Sequence, residues 1–213
     1  MKAVCIVALI ALSAALSFGQ KVYSVPFASS GNTIDLTITN ISQHQGGRIT
    51  IKPLNVPGWL HIVPQEISFQ PARTVTTQSA SFAFSVEKTA PAAQPYDLKF
   101  RVIGGKNESW DKTIRLSVEG PEDFRLFQNY PNPFNPSTKI AYQVPSAGQV
   151  TLKIYNLLGQ TVATLFQGAQ PAGYFEQEWN AGASSSGIYF ARMTYVDKNG
   201  SFFVSTKLMT LMK

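Results

Sequence analysis

The sequence predicts an all-β chain of two antiparallel β-sandwiches in tandem behind a cleavable leader. Short runs alternate apolar and polar residues, as in Ile34, Leu36 and Ile38 against Asp35, Thr37 and Thr39, which gives each strand one buried and one wet face. Turn residues separate these runs at intervals of roughly 8 to 12 residues with no helical window between them, the spacing of a sandwich. A Gly120-Pro121 break then divides the chain into two β-rich halves.

The leader comes first. Lys2 precedes an apolar run from Ala3 to Leu16, and Ser17-Phe18-Gly19 supplies small residues before the polar Gln20-Lys21. A charged start, an apolar core too short for the roughly twenty residues of a membrane span, and a small-residue exit describe a signal peptide over residues 1–19. Cys5 lies at the start of the run, whereas lipid attachment needs a cysteine at its end. It is the only cysteine in the chain. The mature protein is therefore expected to hold neither a disulfide nor a thiolate metal site, and its stability must come from packing.

The first sandwich spans 20–119. Its expected strands are 22–27, 33–40, 48–54, 60–63, 66–69, 79–87, 96–103 and 112–118, each rich in β-branched or aromatic residues. Residues 120–126 read as a linker, with the boundary itself between Glu119 and Asp123. The second half, 127–213, repeats the pattern over 140–144, 149–155, 161–166, 173–179, 187–195 and 201–211. Its Tyr130-Pro-Asn-Pro-Phe-Asn-Pro136 entrance fixes φ at three prolines and biases each preceding residue away from helix. A stiff, extended lead-in is expected, with Tyr130 and Phe134 tucked into the domain.

Composition narrows the function. The chain carries 18 Lys and Arg against 12 Asp and Glu, a net charge of +6, or +5 once Lys2 leaves with the leader. The excess is spread: ten basic and seven acidic residues over 20–120, seven and five from Pro121 onward. A nucleic-acid groove would cluster its cations with aromatics on one face, so no nucleic-acid partner is expected. No mature segment is apolar enough to span a membrane as a helix. The two histidines, His44 and His61, have no metal-ligand spacing, and the twelve carboxylates form no suggestive pair. Gly182-Ala-Ser-Ser-Ser-Gly187 has its second glycine one residue late for a nucleophile elbow and reads as a loop. The expectation is a chain with no catalytic, cofactor or metal site, and not an enzyme.

The most specific residues are in the second half. Gln128-Asn-Tyr-Pro-Asn-Pro-Phe-Asn-Pro136, Leu157-Leu-Gly-Gln160, Ser186-Gly-Ile-Tyr-Phe190 and the terminal Thr206-Lys-Leu-Met-Thr-Leu-Met-Lys213 together resemble the C-terminal sorting domain (type A) of the type IX secretion system. The resemblance implies a folded delivery signal, carried here by Tyr130, Pro131, Asn132, Pro133, Gly159, Gly187, Tyr189, Lys207 and Lys213. It implies recognition by the type IX outer-membrane translocon and its processing machinery, passage through the periplasm, and a secreted or cell-surface destination. Removal of the domain would fall near 120–126. The chain ends where a signal of this class should.

The first half resembles, more loosely, the immunoglobulin-like modules appended to carbohydrate-active enzymes and bacterial surface proteins. The residues that carry this are Leu36-Thr-Ile-Thr-Asn40, Pro57-Gly-Trp-Leu60, Tyr96-Asp-Leu-Lys-Phe-Arg-Val102 and Thr113-Ile-Arg-Leu-Ser-Val118. A non-catalytic structural or adhesive surface module leads. The alternatives are a glycan-binding module or an accessory fragment of a carbohydrate-active enzyme. A sugar platform would use Trp110, expected in the polar hairpin 104–111, or Trp59, whose other reading is a cap on the sandwich, while Trp179 reads as core. The sequons at Asn40 and Asn107 mean little in a bacterial export context.

Overall fold

The computed structural model describes residues 5–11, 21–40, 47–70, 76–104 and 108–213. His44, Asn107 and Ile41-Ser42 of the other sequon lie outside the described residues, as does the leader apart from Cys5–Ala11. The described residues are all-β and contain no helix. The chain divides into two compact units, Met1–Glu119 and Gly120–Lys213.

The first unit contains β1 (Cys5–Ala11), β2 (Val22–Val25), β3 (Asn32–Asn40), β4 (Ile49–Pro53), β5 (Leu60–Val63), β6 (Ile67–Phe69), β7 (Thr76–Val86), β8 (Pro95–Ile103) and β9 (Ser109–Val118). They form two sheets, ordered β1-β3-β7-β5 and β2-β9-β8-β4-β6. Pairing is antiparallel except at two edges, where β1 runs parallel to β3 and β2 parallel to β9. Residues 5–11 of the apolar run that reads as a leader form a strand on the β3 edge, with Cys5 opposite Thr33 and Ala11 opposite Thr39. Three β-branched residues in seven suit it to an extended conformation.

Alternation along the strands builds the core. Ile34, Leu36 and Ile38 are buried, and they share a cluster with Phe82, Phe84, Leu98, Phe100, Ile114 and Leu116. The Phe82 and Phe100 rings, one from each sheet, approach to 5.1 Å. On the wet face of β8 and β9 the register is pinned by two bidentate ion pairs between directly opposed residues. Arg115 holds Asp97 at 2.6 and 2.8 Å, and Arg101 holds Asp111 at 2.8 and 3.0 Å.

The hydrogen bonds from Arg115 hold the Asp97 carboxyl below its ordinary value of 3.8, against the opposing effect of desolvation. A depressed carboxylate contributes stability that is present above the ordinary value and lost as pH falls through the folded one. Asp97→Asn is therefore expected to melt below the wild type at neutral pH, with the gap closing below pH 3.8; paired thermal melts across acid pH check this. A gap that holds constant into strong acid would mean the pair does not contribute through its charge.

The second unit contains β10 (Arg125–Leu126), β11 (Ser137–Val144), β12 (Gly148–Tyr155), β13 (Thr161–Gln170), β14 (Gly173–Asn180), β15 (Gly187–Asp197) and β16 (Phe202–Leu211). Its sheets are ordered β10-β11-β14 and β13-β12-β15-β16, all antiparallel. Ile140, Tyr142 and Val144 from one sheet meet Val150, Leu152, Ile154, Met193 and Met209 from the other, all buried. At one end the Phe124 ring stacks on Tyr195, 5.7 Å away, and Phe203 lies against both.

Candidate functional site

The proline-rich entrance and the terminal strand, some eighty positions apart in sequence, meet in the second unit. The chain bends through residues 131–133 and 135–136 rather than running extended, and the peptides before Pro131, Pro133 and Pro136 are cis. Each proline lacks an N–H, so side chains and the few remaining amides must hold this segment. The Phe134 amide donates to the Thr210 carbonyl at 3.0 Å, and the Met212 amide donates to the Phe134 carbonyl at 3.0 Å. Asn132 Oδ1 accepts from the Thr210 amide at 2.9 Å, and Gln128 Nε2 donates to the Leu208 carbonyl at 2.7 Å.

A second set closes the entrance on itself. Asn129, buried, donates through Nδ2 to the Pro131 carbonyl and to Thr138 Oγ1, both at 2.9 Å. Thr138 Oγ1 in turn donates to the Pro131 carbonyl at 2.8 Å. The Phe134 ring packs on Trp179 at 5.4 Å, and Trp179 meets Tyr189 edge-on at 5.1 Å. Tyr189 Oη donates to the Ser185 carbonyl at 2.7 Å. The loop it reaches is also held by Lys213, whose amide donates to Ser186 Oγ at 3.0 Å and whose Nζ donates to the Gly182 carbonyl at 2.7 Å. Gly187 leaves this loop at φ +156°, a value that disfavours a Cβ.

Asn132, Pro133, Gly187, Tyr189 and Lys213 are thus brought to one end of one sandwich. Residues 128–207 match the family of secretion system C-terminal sorting domains. No curated protein matches the chain. Among solved structures it is similar to the CupB2 chaperone of Pseudomonas aeruginosa, at 10% identity over 86% of this chain and 95% of that one, with a TM-score of 0.27. Dimeric latent PorU from Porphyromonas gingivalis shares 16% identity over 82% of this chain and 17% of its own, with a TM-score of 0.36. The periplasmic chaperone SfaE shares 11% over 91% and 97%, also with a TM-score of 0.36.

Within the sorting domain, Tyr130 departs from expectation. Phe134 is buried, whereas Tyr130 is 81% exposed. Its amide and carbonyl both pair with Lys139, and that bridge turns the ring outward while Phe134 fills the apolar site beside Trp179. Lys207 sits partly buried opposite Ala191 on β15. Gln128 and Asn129 belong to the motif quoted from the sequence, but their bonds, and the part Thr138 plays, come only from the fold, although a polar side chain beside a proline-rich run that lacks donors was the available signal.

Gly159 has a conformational role. In Asn156–Gln160 the Gly159 amide donates to the Asn156 carbonyl at 3.0 Å, and Asn156 Oδ1 accepts from the Leu158 and Gln160 amides, each at 3.0 Å. The Asp197–Ser201 turn repeats the device, with Asp197 Oδ1 accepting from Asn199 and Ser201, each at 2.8 Å. Gly159 and Gly200 take φ +75° and +84°, the left-handed position of a bulged hairpin loop. Open space surrounds Gly159. Gly159→Ala is therefore expected to cost about 1–2 kcal/mol through backbone strain alone, read by chemical denaturation. A loss below a few tenths would show that the turn tolerates another conformation.

The first unit holds the other candidate residues. Trp110 lies in strand β9 opposite Val102, not in the hairpin tip, and its ring covers Gly104; it is 38% exposed. Trp59 packs edge-on against Tyr96 at 5.5 Å, half-buried beside the core. His61 Nε2 is 2.6 Å from Glu87 Oε1, which lowers the Glu87 pKa. Among the described residues no three His, Cys, Asp or Glu gather into a metal-holding group. Ser186 of the loop 181–186 accepts from Lys213.

Proposed function

We propose that this exported protein uses its C-terminal sandwich as a type IX sorting signal, recognised at the outer-membrane translocon, and its first sandwich as a non-catalytic structural or adhesive surface module. The observation that supports the delivery reading is the union of the entrance motif with the last strand, residues 128–136 against 208–213, inside a region that matches sorting domains. The leader 1–19 directs the chain to the periplasm, and processing near 120–126 frees the first sandwich or leaves it at the surface.

Fractionation of a host carrying the type IX system, with mass spectrometry of the mature ends, tests this. The expected product is extracellular, begins at Gln20 and ends within 120–126. A protein retained in the cytoplasm with residues 1–19 intact would sink the route. Glycan binding is the second reading, favoured by the partial exposure of Trp110. It requires a glycan array signal that Trp110→Ala removes.

A further inference from the structure

Strand edges are hazards that folded proteins normally blunt with short strands, charge or bulges. Three of the four sheet edges in the sorting domain are blunted. β10 has two residues, β14 carries Glu176 and Glu178, and β13 meets β12 through two register shifts. The fourth edge, β16, is continuous in register with β15 from Phe202 to Leu211.

Parity fixes what β16 offers. The Leu208 and Thr210 carbonyls and the Thr210 and Met212 amides face away from β15, toward Gln128, Asn132 and Phe134. By the two-residue period of a strand, the N–H and C=O groups of Phe202, Val204 and Thr206 face the same way. Among the described residues these groups have no backbone partner. The entrance segment therefore bonds only the C-terminal half of the edge, and β10 passes beside β16 without a backbone bond to it. The open half carries no proline, lysine or bulge, and its outward side chains Phe202 and Val204 are 63% and 44% exposed.

The adjoining sheet face is cationic. Thr206, Arg192 and Lys153 form one row across β16, β15 and β12, placing two cations opposite each other. Neither is in an ion pair among the described residues. Like charges directly opposed on a sheet repel, so the row favours an incoming carboxylate.

We propose that Phe202–Thr206 is the docking edge by which the sorting domain is read, and that its occupant is an extended segment of the receptor. This segment adds as a strand, sets apolar side chains beside Phe202 and Val204, and brings a carboxylate to the Arg192–Lys153 row. It rests on the sorting reading above. Backbone pairing supplies affinity and the alternate side chains supply specificity.

Val204→Pro tests it in the full chain, because this amide faces away from β15 and proline is tolerated on the open side of an edge strand. Extracellular yield in a type IX host is expected to fall by about tenfold, the worth of roughly one net hydrogen bond. The melting temperature should stay within about 5 °C of wild type. Wild-type export of folded Val204→Pro overturns the proposal. Should that variant fail to fold, the surface pair Lys153→Glu/Arg192→Glu decides, since unchanged export there overturns it equally. Deletion of residues 121–213 separates the two readings. Normal export after deletion sinks the sorting reading itself, whereas lost export after deletion with normal export of Val204→Pro sinks only the docking edge. A wild-type dimer that Val204→Pro dissolves would place a second copy on the edge and overturn the acidic partner.

Discussion

Deleting residues 206–213 is expected to unfold the sorting domain and stop export together. The segment contributes Met209 and Leu211, both buried, and more than half of the β15–β16 ladder. It also contributes the groups that bond Gln128, Asn132 and Phe134. Emptying a buried Leu or Met position costs about 2–5 kcal/mol, and a domain has only about 5–15 kcal/mol in all. Two such losses with the ladder exceed what a unit this small can absorb. Circular dichroism of the purified truncation, beside fractionation of the host, would read both effects. A folded truncation exported at wild-type yield would refute the delivery reading.

Because unfolding alone would block export, a gentler cut is needed beside it. Removing Met212 and Lys213 spares every buried side chain. It loses the bonds to Phe134, Ser186 and Gly182, at about 1 kcal/mol each. The shortened domain should stay folded. Its export then reports whether the basic end is read by the receptor or serves to pin the loop 181–186.

The strands were legible because their side-chain period is two and their faces differ. Val150-Thr-Leu-Lys-Ile-Tyr155 alternates in the chain and buries Val150, Leu152 and Ile154 in the fold. The turn at Gly159 is legible from its glycine, whereas the bonds from Asn156 and from its counterpart Asp197 depend on a loop geometry that residue type alone does not specify. Strand β9 starts at Ser109 rather than at 112, and the sequence hid this because Ser109-Trp-Asp111 is polar in composition. Cross-strand pairing with Arg101 and Val102, which no local window contains, makes it strand. Tyr130 failed for a related reason. Of the two aromatics Phe134 takes the apolar site, because Trp179, some fifty residues away, lies beside it while the bridge to Lys139 turns Tyr130 outward. Local pattern fixes periodicity, whereas which side chain wins a site depends on distant partners.

That dependence makes Trp179→Ala the sharpest single substitution. Trp179 is 4% exposed and lies between Phe134 of the entrance and Tyr189 of β15. Truncating a buried Trp costs about 3–5 kcal/mol, and each lost aromatic pair adds about 0.5–1.5 kcal/mol. Phe134 would lose its apolar contact while its amide and carbonyl still bridge Thr210 and Met212, so the cavity opens where the two halves of the motif join. Denaturant unfolding of the sorting domain should shift by at least about 3 kcal/mol, and export should fall with it. Trp179→Phe keeps a ring against Phe134 and should recover part of both quantities in step. Export that tracks stability through this pair assigns Trp179 to the scaffold. Export lost in Trp179→Phe while stability is retained would mean that the indole itself is recognised.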